Sequence, residues 1–251
     1  MEWALLLSGA FLAGLVDAVV GGGGLIQLPL LIAVFPNAPI SILFGTNKVS
    51  SIAGTGSAAW QYAKRIRIPW DLAVPASTAA LIGAASGAAV VSYLPSSALR
   101  PLVLALLVVV GAYTWFKPDF GRSSKPALVL DRRKVWAAVL GLSIGFYDGF
   151  FGPGTGSFLI FGFVRLFGMD MLHASAASKF VNLATNVAAL AFFLSHDGVM
   201  WKVGLGMAVA NVIGAQIGTR LAVRHGNRFI RWLLLAVVSV LIVKLASDLV
   251  L

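Results

Sequence analysis

The chain repeats itself. Shifted by 131 residues (148 − 17), it lays Asp17 on Asp148, Lys48 on Lys179 and Trp70 on Trp201. The same gapless shift superimposes Gly14 on Gly145, Gly21 on Gly152, Gly23 on Gly154, Gly83 on Gly214, Gly87 on Gly218 and Arg100 on Arg231. Apolar coincidences carry little weight in a chain that is 59% hydrophobic, whereas Asp, Lys and Trp are scarce in it. The fold must therefore be one unit used twice. The expected organisation is a first repeat over 1–116, a polar linker over 117–134 and a second repeat over 135–251.

The solvent for that unit follows from charge. Only 11% of the residues are charged, where a water-soluble domain carries about 25%, and the mean hydropathy is +0.92. This composition is that of an integral membrane protein. Apolar runs fall at about 3–20, 24–36, 39–63, 69–93, 99–116, 135–151, 155–167, 170–194, 201–223 and 229–249. Crossing about 30 Å of hydrocarbon takes about 20 helical residues, and the runs 24–36 and 155–167 are too short. Each follows a glycine cluster, Gly21–Gly24 in one case and Gly152-Pro153-Gly154-Thr155-Gly156 in the other. A helix that enters, breaks at glycine and turns back explains both facts. Such backbone survives at membrane depth only where protein or a watery cavity satisfies it. The expected fold is all-α and polytopic, with two repeats of about five helical segments each and broken or re-entrant glycine-rich hairpins. The run 3–20 follows an acidic Met1-Glu2 start with no basic region, which reads as a retained membrane segment rather than a cleaved signal peptide.

The net charge of +10 is informative through its placement. Lys64, Arg65 and Arg67 form one basic cluster, Lys117, Arg122, Lys125, Arg132, Arg133 and Lys134 a second, and Arg224, Arg228 and Arg231 a third. These loops lack the interleaved aromatics and continuous basic face of a nucleic-acid binder, so no nucleic-acid partner is expected. They follow the positive-inside rule instead. With 64–67 in the cytoplasm, the 94–98 turn lies outside and the 117–134 linker returns to the cytoplasm. In the second copy the bias reverses: Ser195-His196-Asp197-Gly198 replaces the basic loop, and the basic 224–228 stretch replaces the uncharged turn. Arg100, Lys202 and Lys244 fall outside, Lys48 and Lys179 at mid-membrane, and all other basic residues at cytoplasmic ends. The two repeats are thus expected to be inverted with respect to the membrane, with both termini outside. Inverted repeats with broken helices are a transporter signature, since one fold used upside down supplies two gates around a midplane site. Duplication kept for packing alone competes with this reading, but it does not require charged residues paired at mid-membrane.

Lys48 lies nine residues after Pro39 and Lys179 nine after Asp170, about 14 Å into their helices. A lysine there must face a cavity, a counter-charge or a bound anion. Asn47, Ser51 and Thr55 share one helical face at intervals of four, and Ser178, Asn182 and Asn186 repeat it. Two such stripes beside two lysines would surround a small anion with donors. The bland alternative pairs each lysine with the aspartate of its own repeat and lets the stripes hydrogen-bond between helices. Asp17 and Asp148 precede the glycine clusters by four residues; they either carry a coupling proton or cap the helix break. Gly23 and Gly154 would leave backbone amides and a helix N-terminus facing the anion. Neither a GxxxxGK phosphate loop nor a preceding strand is present. With no Cys, and with His173, His196 and His225 scattered near segment ends, no metal, cofactor or enzymatic centre is expected. Gly83–Gly87 and Gly214–Gly218 are small-xxx-small pairs, read first as packing within the chain and second as a homo-oligomer contact.

These residues carry a resemblance. The Gly14-x-x-Asp17 stretch into Gly21–Gly24, with the Pro39 to Gly45-Thr46-Asn47-Lys48 element, resembles the TauE/SafE family of bacterial membrane proteins. Gly145-x-x-Asp148-x-x-x-Gly152-Pro153-Gly154-Thr155-Gly156 and Ser178-Lys179 are similar to that family's second repeat. The resemblance implies a permease for sulfite, sulfonates such as sulfoacetate, or related anions, working as an exporter. The expected function is secondary transport of such an anion, with the lipid bilayer and the anion as partners; a passive anion channel is the alternative.

Overall fold

A computed structural model describes residues 2–95, 99, 102, 105 and 132–250, without the side chains of 227, 228 and 230–250. Most of the expected 99–116 segment, including Arg100, and linker positions 117–131 lie outside the described residues. Among the described residues the chain is wholly helical, with α1 (Glu2–Val20), α2 (Gly24–Val34), α3 (Ile40–Arg65), α4 (Trp70–Ser92), α5 (Arg133–Phe150), α6 (Thr155–Phe167), α7 (Met171–His196) and α8 (Trp201–Val250). It is an all-α polytopic membrane protein; α1, α4 and α7 are each long and apolar enough to cross a bilayer. Ile82 on α4 and Val209 on α8 are 66% and 65% exposed, an outward apolar surface that lipid, not water, would cover.

The repeat offset governs the helix boundaries. α3 and α7 have 26 residues each, and the limits of α7 are those of α3 shifted by the offset. Trp70 and Trp201 open α4 and α8. One boundary differs from expectation: Arg133 and Lys134 already belong to the first turn of α5. The expected segments 201–223 and 229–249 are two helical stretches that meet at a kink inside Trp201–Val250, at Gly226 with φ 65° and ψ −155°.

The two short helices, 11 and 13 residues long, extend only about 17 and 20 Å. α2 doubles back along α1: Gly23 sits against Ala13, and further from the break Gly9 sits against Leu30. Gly21 (φ 75°) and Gly152 (φ 94°) make the turns, a conformation that a residue with a Cβ rarely adopts. The two breaks meet, since the backbones of Gly21 and Gly156 touch and a Cβ on either would strike the other.

Small residues bring the remaining helices together. Along α4 and α5, Ala76 meets Gly141, Ala80 meets Gly145 and Ala84 meets Gly149, while Gly83 meets Leu142 and Gly87 meets Phe146. Each step of four on one helix is a step of four on the other, so the two run in the same direction with their backbones close. The contacts recur between α1 and α8: Gly14 on Asn211, Gly214 on Phe11 and Gly218 on Leu15. Both small-xxx-small pairs are therefore occupied inside the chain.

Candidate functional site

The break after α1 leaves four helix-end carbonyls without intrahelical partners, which water would satisfy at a surface. Here side chains reach most of them and supplement the rest. Lys179 donates to the Asp17 carbonyl, Tyr62 to Ala18 O at 3.0 Å, Ser175 to Val19 O at 2.9 Å and Ser157 to Val20 O at 2.7 Å. The donors come from α3, α6 and α7, so the end of α1 is pinned from three directions. Under the repeat offset, Ser157, Ser175 and Tyr62 correspond to Ile26, Phe44 and Phe193, which have no side-chain donor. At the end of α5 the recurring contact is Lys48, which donates to Asp148 O at 3.1 Å.

Both lysines are buried, and each pairs with the aspartate of the other repeat. Lys48 Nζ lies 2.7 Å from Asp148 Oδ2, with side chains 5% and 3% exposed. Lys179 Nζ lies 3.5 Å from Asp17 Oδ2, with side chains 0% and 14% exposed. The expected alternative of pairing within one repeat is therefore corrected. The two halves interleave, so that α3 lies against the end of α5 and α7 against the end of α1. Gly23 and Gly154 precede the short helices and have no side chain with which to cap them. The carboxylates accept from hydroxyls, Asp148 Oδ1 from Thr155 at 2.7 Å and Asp17 Oδ2 from Thr55 at 3.1 Å.

Between the pairs lies a small polar cleft. Of the residues singled out in the sequence, Lys48, Asn47, Ser51, Asn182, Asn186, Asp17 and Asp148 line it. Thr55 reaches it only through Asp17. Lys179 sits behind Asp17, and Ser178 is turned onto the Ser175 carbonyl. Gly23 packs on Ala13, and Gly154 supplies the left-handed turn before α6 (φ 86°). The glycines that line the cleft are Gly21, Gly24, Gly152 and Gly156. Thr155 also lines it and was not among the expected residues. Its repeat partner is Gly24, so only the hydroxyl following the glycine cluster could have marked it. Gly24 and Thr155 are the first residues of α2 and α6, so both short helices begin at the cleft, where unpaired amides favour negative charge. Asn47 has an amide oxygen with no hydrogen-bond partner.

Chemically, the cleft offers an ammonium, several amides and hydroxyls, and two carboxylates. Among the described residues no three His, Asp or Glu side chains gather as metal ligands. A set of this kind can bind a small polar anion and exchange protons.

A protein-family model described as "Sulfite exporter TauE/SafE" matches residues 6–245. The chain is 39% identical over 246 residues to the "Probable membrane transporter protein ORF9" of Sinorhizobium sp, covering 98% of this chain and 92% of that protein. It is 32% identical over 243 residues to the "Probable membrane transporter protein YfcA" of Escherichia coli K12, covering 95% and 87%. No solved structure matches it. With a family match over almost its whole length and relatives described as membrane transporters, the chain belongs to the TauE/SafE sulfite exporter family of membrane transporters.

Proposed function

We propose that this transporter moves a small anion, sulfite or an organosulfonate such as sulfoacetate, by alternating access around the cleft between α1, α3, α5 and α7. The observation that carries the reading is the cleft itself, lined by polar groups from both halves where the two helix breaks meet. Lys48 is the cationic ligand. Asn47, Ser51, Asn182 and Asn186 supply neutral donors, and the starts of α2 and α6 add their amides. An anion stripped of water needs such replacements.

The repeats 1–116 and 135–251, joined by a cytoplasmic linker, are inverted in the inner membrane with both termini outside. Support comes from direction. α1 runs alongside α8 and α4 alongside α5 with advancing contacts. α2 returns to the side where α1 began, and α3 then crosses, so α4 opposes α1. Each helix therefore opposes its own repeat equivalent, α1 against α5 and α4 against α8. Exchange between two such halves gives alternating access.

The test is flux in proteoliposomes. Saturable uptake of sulfite or sulfoacetate, with chloride excluded, is the expected result. Non-saturating flux that carries current would make the protein a channel.

A further inference from the structure

The two lysine–aspartate pairs occupy equivalent positions but are built differently. Lys179 is fully buried, lies outside the cleft lining, and holds both the carbonyl and the carboxylate of Asp17. It belongs to the side-chain clamp around the end of α1. Lys48 and Asp148 both line the cleft, and the positions that would clamp the end of α5 carry Ile26, Phe44 and Phe193. In the first pair only Asp17 borders the cleft, whereas in the second both charges do.

Counting formal charge over Asp17, Lys48, Asp148 and Lys179 gives zero. A buried site of zero net charge has no net charge with which to attract an anion, and the charge of Lys48 is already matched by Asp148 Oδ2 at 2.7 Å. The obstacle disappears if Asp148 takes up a proton. We infer that the coupling ion is a proton carried by Asp148: the anion enters as Asp148 is protonated, taking its place on Lys48, while Lys179–Asp17 stays closed.

The surroundings accommodate both states of Asp148. As a carboxylate it accepts from Lys48 and from Thr155 Oγ1. Thr155 Oγ1 is also 2.7 Å from Gly152 O. A hydroxyl has one proton to give, so when Asp148 becomes the donor, Thr155 can turn its proton to Gly152 and accept. Lys48 keeps its bond to the Asp148 carbonyl and aims its remaining protons at the anion. The step balances. One proton from water becomes the carboxyl proton, no bond to the anion is made or broken, and the four groups plus a monoanion again sum to zero. Other titratable groups near Asp148 are Asp17 across the cleft, Lys179 on Asp17, and Tyr147, whose hydroxyl donates to Pro153 O. α2 carries no charge, and the charged residues of α4 and α6, Asp71 and Arg165, lie about 20 and 15 Å along their helices from the nearest contact with this region.

This inference rests on the anion site proposed above, and the probe is chosen to separate the two. Methanesulfonate is a strong-acid anion with no proton of its own, so any proton taken up belongs to the protein. Its binding to the purified full chain is measured by titration calorimetry in buffers of different ionisation enthalpy at one pH. One proton taken up per anion is expected, with apparent affinity falling about tenfold per pH unit wherever the empty site is ionised. Infrared difference spectra should show a protonated carboxyl appearing on binding. Asp148→Asn should bind without proton uptake or that band, and Asp148→Glu should restore both; if Asp148→Asn does not fold, the wild-type measurements decide. Binding without proton uptake, or uptake that survives Asp148→Asn, overturns the inference and leaves the anion site standing. No binding of methanesulfonate, sulfite or sulfoacetate overturns both.

Discussion

Exchanging Lys179 for methionine removes the charge from a fully buried side chain and leaves the Asp17 carboxylate with the Thr55 hydroxyl as its remaining described donor. Breaking a buried ion pair from one side costs about 3–5 kcal/mol. Asp17 borders the cleft and is 14% exposed, so water can reach it and the lower end, about 3 kcal/mol, applies. Neutralising the partner as well, in Lys179→Met with Asp17→Asn, removes the stranded charge. What is then missing is mainly the bond from the ammonium to the Asp17 carbonyl, about 1.5 kcal/mol at the low end for a bond from a charged donor. The double variant should thus regain about 1.5 kcal/mol, about tenfold in the unfolding equilibrium. Reversible unfolding in mixed micelles, followed by tryptophan fluorescence, measures it. The control combines Lys179→Met with Asp148→Asn, which leaves Asp17 stranded and also strips the partner from Lys48. If that control recovers as much stability as the Asp17 combination, the cross-repeat pairing is wrong.

Lys48→Met should weaken methanesulfonate binding about tenfold to a hundredfold, as expected for one charge-assisted hydrogen bond, with Lys48→Arg recovering part of it because a planar guanidinium differs in shape and reach; unchanged affinity in a folded variant would remove Lys48 from the site. Because the chain has no native Cys, single cysteines report topology directly: Asp197→Cys should react with an impermeant maleimide from outside the cell and Arg65→Cys should not, while labelling of both from one side would refute the inverted arrangement. Gly156→Ala should abolish folded protein, since its Cβ would drive into the Gly21 backbone. Gly198→Ala, where a Cβ meets open space, should cost only about 1–2 kcal/mol for its positive φ; comparable folded yield for the two, measured by size-exclusion in detergent, would contradict the close approach of the breaks.

The repeat, the short helices and the residues of the cleft were legible because each leaves a local mark. The offset places α7 from α3, and a run too short to span must turn back. Lys48 and Lys179 stand out because charge is rare in such a chain. Which aspartate each lysine meets was not legible, because it depends on how the two halves interleave, and no spacing within one half encodes that. Thr155 was hidden by the same symmetry that revealed its neighbours, since its counterpart is Gly24 and a search for matched polar positions passes over it. The pinning of α1 escaped for a related reason. Ser157, Ser175 and Tyr62 matter through carbonyls, which every residue has, and only the three-dimensional crossing shows whose carbonyls they reach.

The cross-repeat pairing also sets an order of events at the ribosome. Lys48 and Asp148 are 100 residues apart. At about 5–20 residues per second, α3 leaves the ribosome about 5–20 seconds before the carboxylate that will neutralise its lysine is made. During that interval the acidic residues of its own half nearest Lys48 in sequence are Asp17 and Asp71, and the face of α4 that will receive α5 is bare. The first half cannot complete its fold alone; it must be held by the insertion machinery or by lipid headgroups until the second half threads in beside it. A nascent chain stalled before residue 148 therefore lacks both the carboxylate that pairs with Lys48 and the complete helix that covers α4.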